Sequence, residues 1–340
     1  MDFEQIMCHI TSGLTGDIRK DIIYLQKEMQ EYKNHEMSTE ILRACGRLLY
    51  GMIPEAERGE LSRAVFNDVK GMEAALDEIR YNVYKKEFKK AEQMLVAIIN
   101  KIEKAPMFQN DKVSEYYTFN EAFEEILYRH LYKPDREIRR AEIPYADIYL
   151  QYGSLLFELK RYQEARKALE KAVRWNPISL KIAFEYMETF KVVGALEEFA
   201  SLTKNAFKHA YRSKDLARCY RNMGYYFVEK MEYRVAMGCY ILSMQYDRDS
   251  RNAQSELYYI QTKTDGTLKQ PNAEEMEQYS KTYDFPLGAD DDIVGLSYAY
   301  GKHFMDEGDT ELARYFLRIV YELTEDGEVK EILDEFSSKY

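Results

Sequence analysis

The chain has 340 residues, and its 48 Lys and Arg against 59 Asp and Glu give a net charge of −11, which argues against non-specific attachment to nucleic acid or to an anionic membrane. Hydrophobic residues make up 46% and charged residues 31%, the balance of a folded domain rather than a disordered chain. Four dispersed cysteines, Cys8, Cys45, Cys219 and Cys239, show no CxxC spacing, which speaks against both a disulfide framework and a zinc site.

The first residues carry Asp2 and Glu4 where a signal peptide needs bases, and no apolar run is long enough to span a membrane. The expectation is a cytoplasmic protein with reduced thiols. Its 30 tyrosines are expected to fill helix–helix seams with their rings and keep their hydroxyls in water.

Residues 1–71 are predicted to form a helical amino-terminal cap or degenerate repeats. Ile18, Ile22, Leu25, Met29 and Tyr32 make one apolar stripe at helical spacing, opened by Gly16–Asp17 as a cap. Ile41, Cys45, Leu48, Leu49 and Met52 make a second that ends near Pro54, with Cys45 as a buried spacer. Leu61, Val65, Val69 and Met72 make a third. A helical hairpin follows over 72–104, with Phe88, Ala91, Leu95 and Ile98 on one face, and Ala105–Pro106 breaks it.

Beyond the break, Tyr116, Phe119, Phe123, Ile126 and Leu127 predict one helix with these residues inward. Arg129, His130, Lys133, Arg136, Arg139 and Arg140 then form a basic cluster in an acidic chain. It reads either as a contact for an acidic partner or as a solvated turn paired with Asp135, Glu137 and Glu142. The second reading is favoured because charge runs usually mark exposed faces.

Residues 146–177 carry the most regular pattern. Tyr149, Tyr152, Gly153 and Leu156 share one helix face, and Tyr162, Ala165, Leu169 and Ala172 share another. Glycine costs a helix about 1 kcal/mol against alanine. Gly153, with the small Ala165 twelve residues on, therefore predicts two helices in close backbone approach, stopped at Asn176–Pro177. Gly224 with Ala236 and Gly301 with Ala313 repeat the same spacing. Between them Leu180–Ser213 fits a degenerate copy whose glycine is displaced to Gly194.

This pattern resembles the tetratricopeptide repeat, a helical hairpin of about 34 residues. The resemblance implies an all-α, right-handed α-solenoid of such hairpins over 72–326, interrupted by an insert at 264–292. The insert lengthens the spacing from Gly224 to Gly301 to 77 residues. Asp290, Asp291 and Asp292 lack calcium-loop spacing and read as a helix cap. Gly308–Asp309 predicts another stop and start, and residues 327–340 a capping helix.

No phosphate-binding, metalloprotease or hydrolase motif is present, and the five histidines lie far apart. The reading is therefore a non-catalytic scaffold without metal or cofactor. The resemblance implies a concave groove lined by the first helices of successive repeats, holding a protein or peptide segment. By position its lining is Asp147, Leu150, Gln151 and Ser154, then Lys181, Phe184, Glu185 and Glu188, then Arg218, Arg221, Asn222 and Tyr225, then Tyr298 and Lys302. Arg218, Arg221, Asn222 and Tyr225 share a face that could grip a carboxylate or a backbone. The family's clamp for chaperone carboxyl termini needs Lys and Asn where Leu150 and Ser154 stand, so that clamp is not expected. A bacterial peptide-sensing regulator acting through protein contacts is the alternative, and an enzyme with a site in the groove a further one.

Overall fold

The computed structural model describes residues 2–52, 69–103 and 108–338. Helices dominate: α1 (Phe3–Ser12), α2 (Ile18–Glu31), α3 (Ser38–Met52), α4 (Val69–Tyr84) and α5 (Phe88–Glu103) precede a short β-strand, β1 (Ser114–Tyr117). After α6 (Ala122–Tyr132) comes β2 (Glu137–Arg140), then α7 (Tyr145–Glu158), α8 (Tyr162–Trp175), α9 (Leu180–Lys191) and α10 (Leu196–Ala206). The chain continues with α11 (Ser213–Glu229), α12 (Tyr233–Tyr246), α13 (Arg251–Lys263), α14 (Ala273–Tyr283), α15 (Asp291–Asp306), α16 (Thr310–Thr324) and α17 (Gly327–Ser338).

The close approach inside the hairpins is real, and its partner lies one turn beyond the expected alanine. A Cβ on Gly153 would sit 2.4 Å from Leu169 Cγ; on Gly224, 2.8 Å from the Tyr240 ring; on Gly301, 2.7 Å from Leu317. Each partner stands sixteen residues after its glycine, and Ala165, Ala236 and Ala313, twelve after, are fully buried. Small residues at both positions let the two backbones meet while one large side chain lies over the glycine.

Five hairpins among the described residues turn the same way. The first helix of each closes on a residue in the left-handed region: Lys86, Lys160, Gly194, Met231 and Gly308. The next amide then reaches back five residues, as in Arg161 N–H to Leu156 O at 2.9 Å and Asp309 N–H to Phe304 O at 2.9 Å. This Schellman-type closure satisfies carbonyls that the helix end would leave open. Gly194 is thus not a displaced packing glycine; it occupies the turn position that Lys160 holds in the preceding hairpin, where φ of +75° suits glycine.

One expectation fails outright. Residues 114–117 are not helical: β1 pairs in parallel with β2, Ser114 opposite Glu137 and Tyr117 opposite Arg140, so the helix spans only Ala122–Tyr132. Tyr116, Phe119 and Phe123 are all buried, but Tyr116 and Phe119 precede the helix. The basic cluster is paired, as the bland reading holds, mostly with other partners. Arg129 and Arg140 both bind Glu125, Arg136 binds Glu115, and only Arg139 uses one of the expected acids, Glu137.

The amino-terminal helices have a small core of their own, with Ile6, Ile10, Leu25, Ile41 and Cys45 buried together. Ile18 is 48% exposed, so the α2 stripe is narrower than its apolar pattern. Asp21 takes that place: its carboxylate accepts from Thr15 N–H, Thr15 O–H and Gly16 N–H, which together fix the turn into α2. Asp17 caps the same helix as expected. The third predicted stripe and the Ala105–Pro106 break lie outside the described residues, apart from the backbone at Val69 and Met72.

The tyrosines are drier than their chemistry suggests. Tyr220 and Tyr240 are at most 2% exposed, and Tyr117 and Tyr128 share a buried hydrogen bond at 2.7 Å. Cys219 and Cys239 are buried free thiols, and burial pushes both well above the usual thiol range. Asp290 and Asp309 cap α15 and α16 as expected.

Candidate functional site

Helices α7, α9 and α11 are the first helices of three consecutive hairpins, and their corresponding positions face one another. Arg218 on α11 stands over the Phe184 ring of α9, 4.5 Å from its centre, and reaches Glu188 at 3.5 Å. Asn222 sends its Nδ2 towards Met187 Sδ at 3.7 Å, a weak acceptor for a buried amide. Lys191 lies 4.2 Å from the centre of the Tyr225 ring and 3.6 Å from Glu188. Phe184, Glu188, Arg218, Asn222 and Tyr225 are thus brought together.

Other expected groove residues behave differently. Leu150 and Phe184 are 5% and 1% exposed, so they belong to the core beneath the face and offer no surface. Arg221 turns towards the end of its own hairpin's second helix and pairs with Asp247 at 3.1 Å. Tyr298 and Lys302 pack on each other, 5.8 Å from ammonium to ring centre, on α15. Asp147 and Ser154 are half-buried on α7.

The expected arginine anchor is therefore occupied: Arg218 and Arg221 each hold a carboxylate. Two carboxylates of the face lack an ion partner among the described residues, as does the exposed Lys181, whose charge also reaches Glu185. Glu185 and Asp215 form no salt bridge, and burial pushes both carboxyls above the usual range, opposed by Arg218 for Glu185 and by Arg212 and Arg218 for Asp215. Gln151, one repeat before Glu185, has both side-chain polar atoms covered and without a hydrogen-bond partner.

The β1–α6–β2 insertion closes one end of this face. Glu124 of α6 is buried, takes Asn176 Nδ2 at 2.8 Å, and feels the charge of Asp147. Glu121, just before α6, accepts from Tyr211 O–H at 3.1 Å and Tyr315 O–H at 2.9 Å, and pairs with Arg212. Phe123 packs edge-on against Tyr211 and Phe316, with ring centres 5.2 and 5.9 Å away. One short helix thus ties the entry of α11 to α16, the second helix of the last hairpin. Nothing in the local sequence announces it, because the contacts join residues up to 194 positions apart.

Among the described residues no group of three or more His, Cys, Asp or Glu is placed to hold a metal ion, and no helix is long and apolar enough to cross a membrane.

Paired helices in small-residue contact, a common turn and a face shared by successive first helices define a helical-repeat protein of the all-α class. Residues 146–179 match the family model described as tetratricopeptide repeat. No curated protein matches the sequence. Among solved structures, the chain is similar to the apo form of RapI, with 10% identity, a TM-score of 0.39 and coverage of 98% of this chain and 97% of that one. It is also similar to the Rap conjugation gene regulator of plasmid pLS20 in complex with the Phr* peptide, with 13% identity, a TM-score of 0.38 and coverage of 98% and 95%.

Proposed function

We propose that the α7–α9–α11 face binds an extended protein or peptide segment without converting it, and that the segment carries a basic side chain. The observation that carries this reading is the pair of half-buried carboxylates, Glu185 and Asp215, which form no ion pair while the arginines whose charge reaches them, Arg218 and Arg212, are engaged by Glu188 and Glu121. A desolvated carboxylate gains most from a Lys or Arg that arrives with the ligand, since the low local dielectric strengthens the pair. Gln151 supports the same reading. An unsatisfied buried amide costs about 1–3 kcal/mol, which a peptide group of the ligand would offset once the side chain turns to meet it. Arg218, held flat on Phe184 by Glu188, then acts as a wall of the site and not as its anchor.

The test is selection of random displayed peptides on the full chain and on its Glu185→Gln/Asp215→Asn variant. The wild type is expected to enrich peptides with Lys or Arg at one fixed position. The variant is expected to bind those peptides at least about tenfold more weakly, since one charge-assisted contact is worth about 1.5–3 kcal/mol. Enrichment of acidic peptides, equal binding by the variant, or no enrichment at all would overturn the proposal.

A further inference from the structure

A second concavity lies away from the α7–α9–α11 face, between the end of α10 and the insert that interrupts the repeat period. Its volume is about 570 Å³, within the roughly 300–1,000 Å³ usual for small-molecule sites. Lys204 and Lys208, one helical turn apart, line one side, and Lys281 of α14 lines the other. Among the described residues none of the three forms an ion pair with a carboxylate. A lysine near a helix C-terminus is ordinarily explained by the helix dipole. That accounts for Lys204 and Lys281 singly; it does not explain why three ammoniums meet at one cavity in a chain of net charge −11.

The cavity is built independently of these lysines. Ser280 O–H donates to Phe285 O at 2.7 Å, and Tyr220 O–H, from inside the core, donates to Pro286 O at 3.1 Å. Asp284 ends α14 in the left-handed region, with φ of 55°. The two acids on the lining have separate circumstances. Asp290 is committed to the amides of Asp292 and Ile293 at the start of α15, while the Asp284 carboxylate forms no hydrogen bond or ion pair among the described residues. Asn205 adds a neutral donor and acceptor.

We infer that this cavity binds a small phosphorylated polyol, such as a sugar phosphate. The three ammoniums neutralise the phosphate dianion, and Asp284 with Asn205 accepts hydrogen bonds from the hydroxyls. Asp284 is what separates this ligand from free phosphate. A lone carboxylate repels an anion but accepts well from a hydroxyl, so a ligand with phosphate at one end and hydroxyls at the other satisfies the whole lining.

Titration calorimetry on the full chain with ribose 5-phosphate, inorganic phosphate and ribose tests this directly. The expected result is one site per chain for ribose 5-phosphate, at least tenfold tighter than for inorganic phosphate, and no heat from ribose. Lys204→Ala/Lys208→Ala/Lys281→Ala should weaken ribose 5-phosphate at least tenfold with an unchanged thermal melt. Asp284→Asn, which keeps a residue tolerant of the left-handed region, should bring ribose 5-phosphate towards the affinity of phosphate. Absence of millimolar binding, equal binding by the triple variant, or phosphate binding as tightly as the sugar phosphate would each overturn the inference.

Discussion

The hairpin contact makes one substitution, glycine to alanine, change sign between two helices of the same chain. At Gly295, on the exposed side of α15, a new Cβ meets nothing within 4 Å. Alanine there should stabilise by about 0.5–1 kcal/mol through helix propensity alone. At Gly153 the same propensity gain meets Leu169 Cγ at 2.4 Å, Leu169 Cδ2 at 2.8 Å and the Ala165 carbonyl at 3.3 Å. The nearest atom is the branch point of a side chain 1% exposed, not a free end, so the helices themselves must separate. Overpacking of this kind costs about 1–3 kcal/mol, which leaves Gly153→Ala destabilised by about 1 kcal/mol. Urea unfolding followed by circular dichroism measures both variants against wild type. A double variant with Leu169→Ala separates the causes, because with Leu169 truncated the propensity gain should reappear and Gly153→Ala should become neutral or stabilising. If Gly153→Ala is as stable as Gly295→Ala in the wild-type background, the helices are not in the contact described and the repeat assignment loses its physical basis.

Two further outcomes follow from buried groups near α6. Burial lowers the pKa of His209 to about 4, from about 6.5 in the unfolded chain, while its ring lies 3.0 Å from the Tyr132 hydroxyl. A depressed folded pKa means that the neutral ring's stability is fully present above pH about 6.5 and is lost as pH falls towards 4, by about 3 kcal/mol in all. Urea midpoints between pH 7 and pH 4 should fall less steeply for His209→Gln, and an unchanged slope would refute the assignment. Phe316 is 1% exposed, with Phe123, Tyr300 and Phe304 around it. Phe316→Ala should cost about 3–5 kcal/mol and loosen α6. Limited proteolysis should then cut faster between Lys133 and Arg136, and unchanged cutting there would show that α6 is held without α16.

The contrast between what was legible and what was not follows the range of the interactions. Gly153 and Ala165 lie within one hairpin, so side-chain size alone reported the close approach, though not that Leu169 fills it, and Asp17, Asp290 and Asp309 cap helices through amides two or three residues away. Strands β1 and β2 have four residues each, and their pairing crosses an entire helix. The spacing of Tyr116, Phe119 and Phe123 meanwhile imitates a helix period. The candidate site shows the same division more sharply. That Arg218, Arg221, Asn222 and Tyr225 share a helix follows from spacing, but the charge a ligand meets depends on which of them already has a partner. Glu188 comes from the preceding hairpin and Asp247 from the far end of the same one. Once those pairs form, Glu185, Asp215 and the Gln151 amide are left without a direct partner among the described residues. A face that reads as cationic in sequence therefore holds two carboxylates without an ion pair, and the binding proposed above would select a basic ligand where the sequence pattern suggests an acidic one.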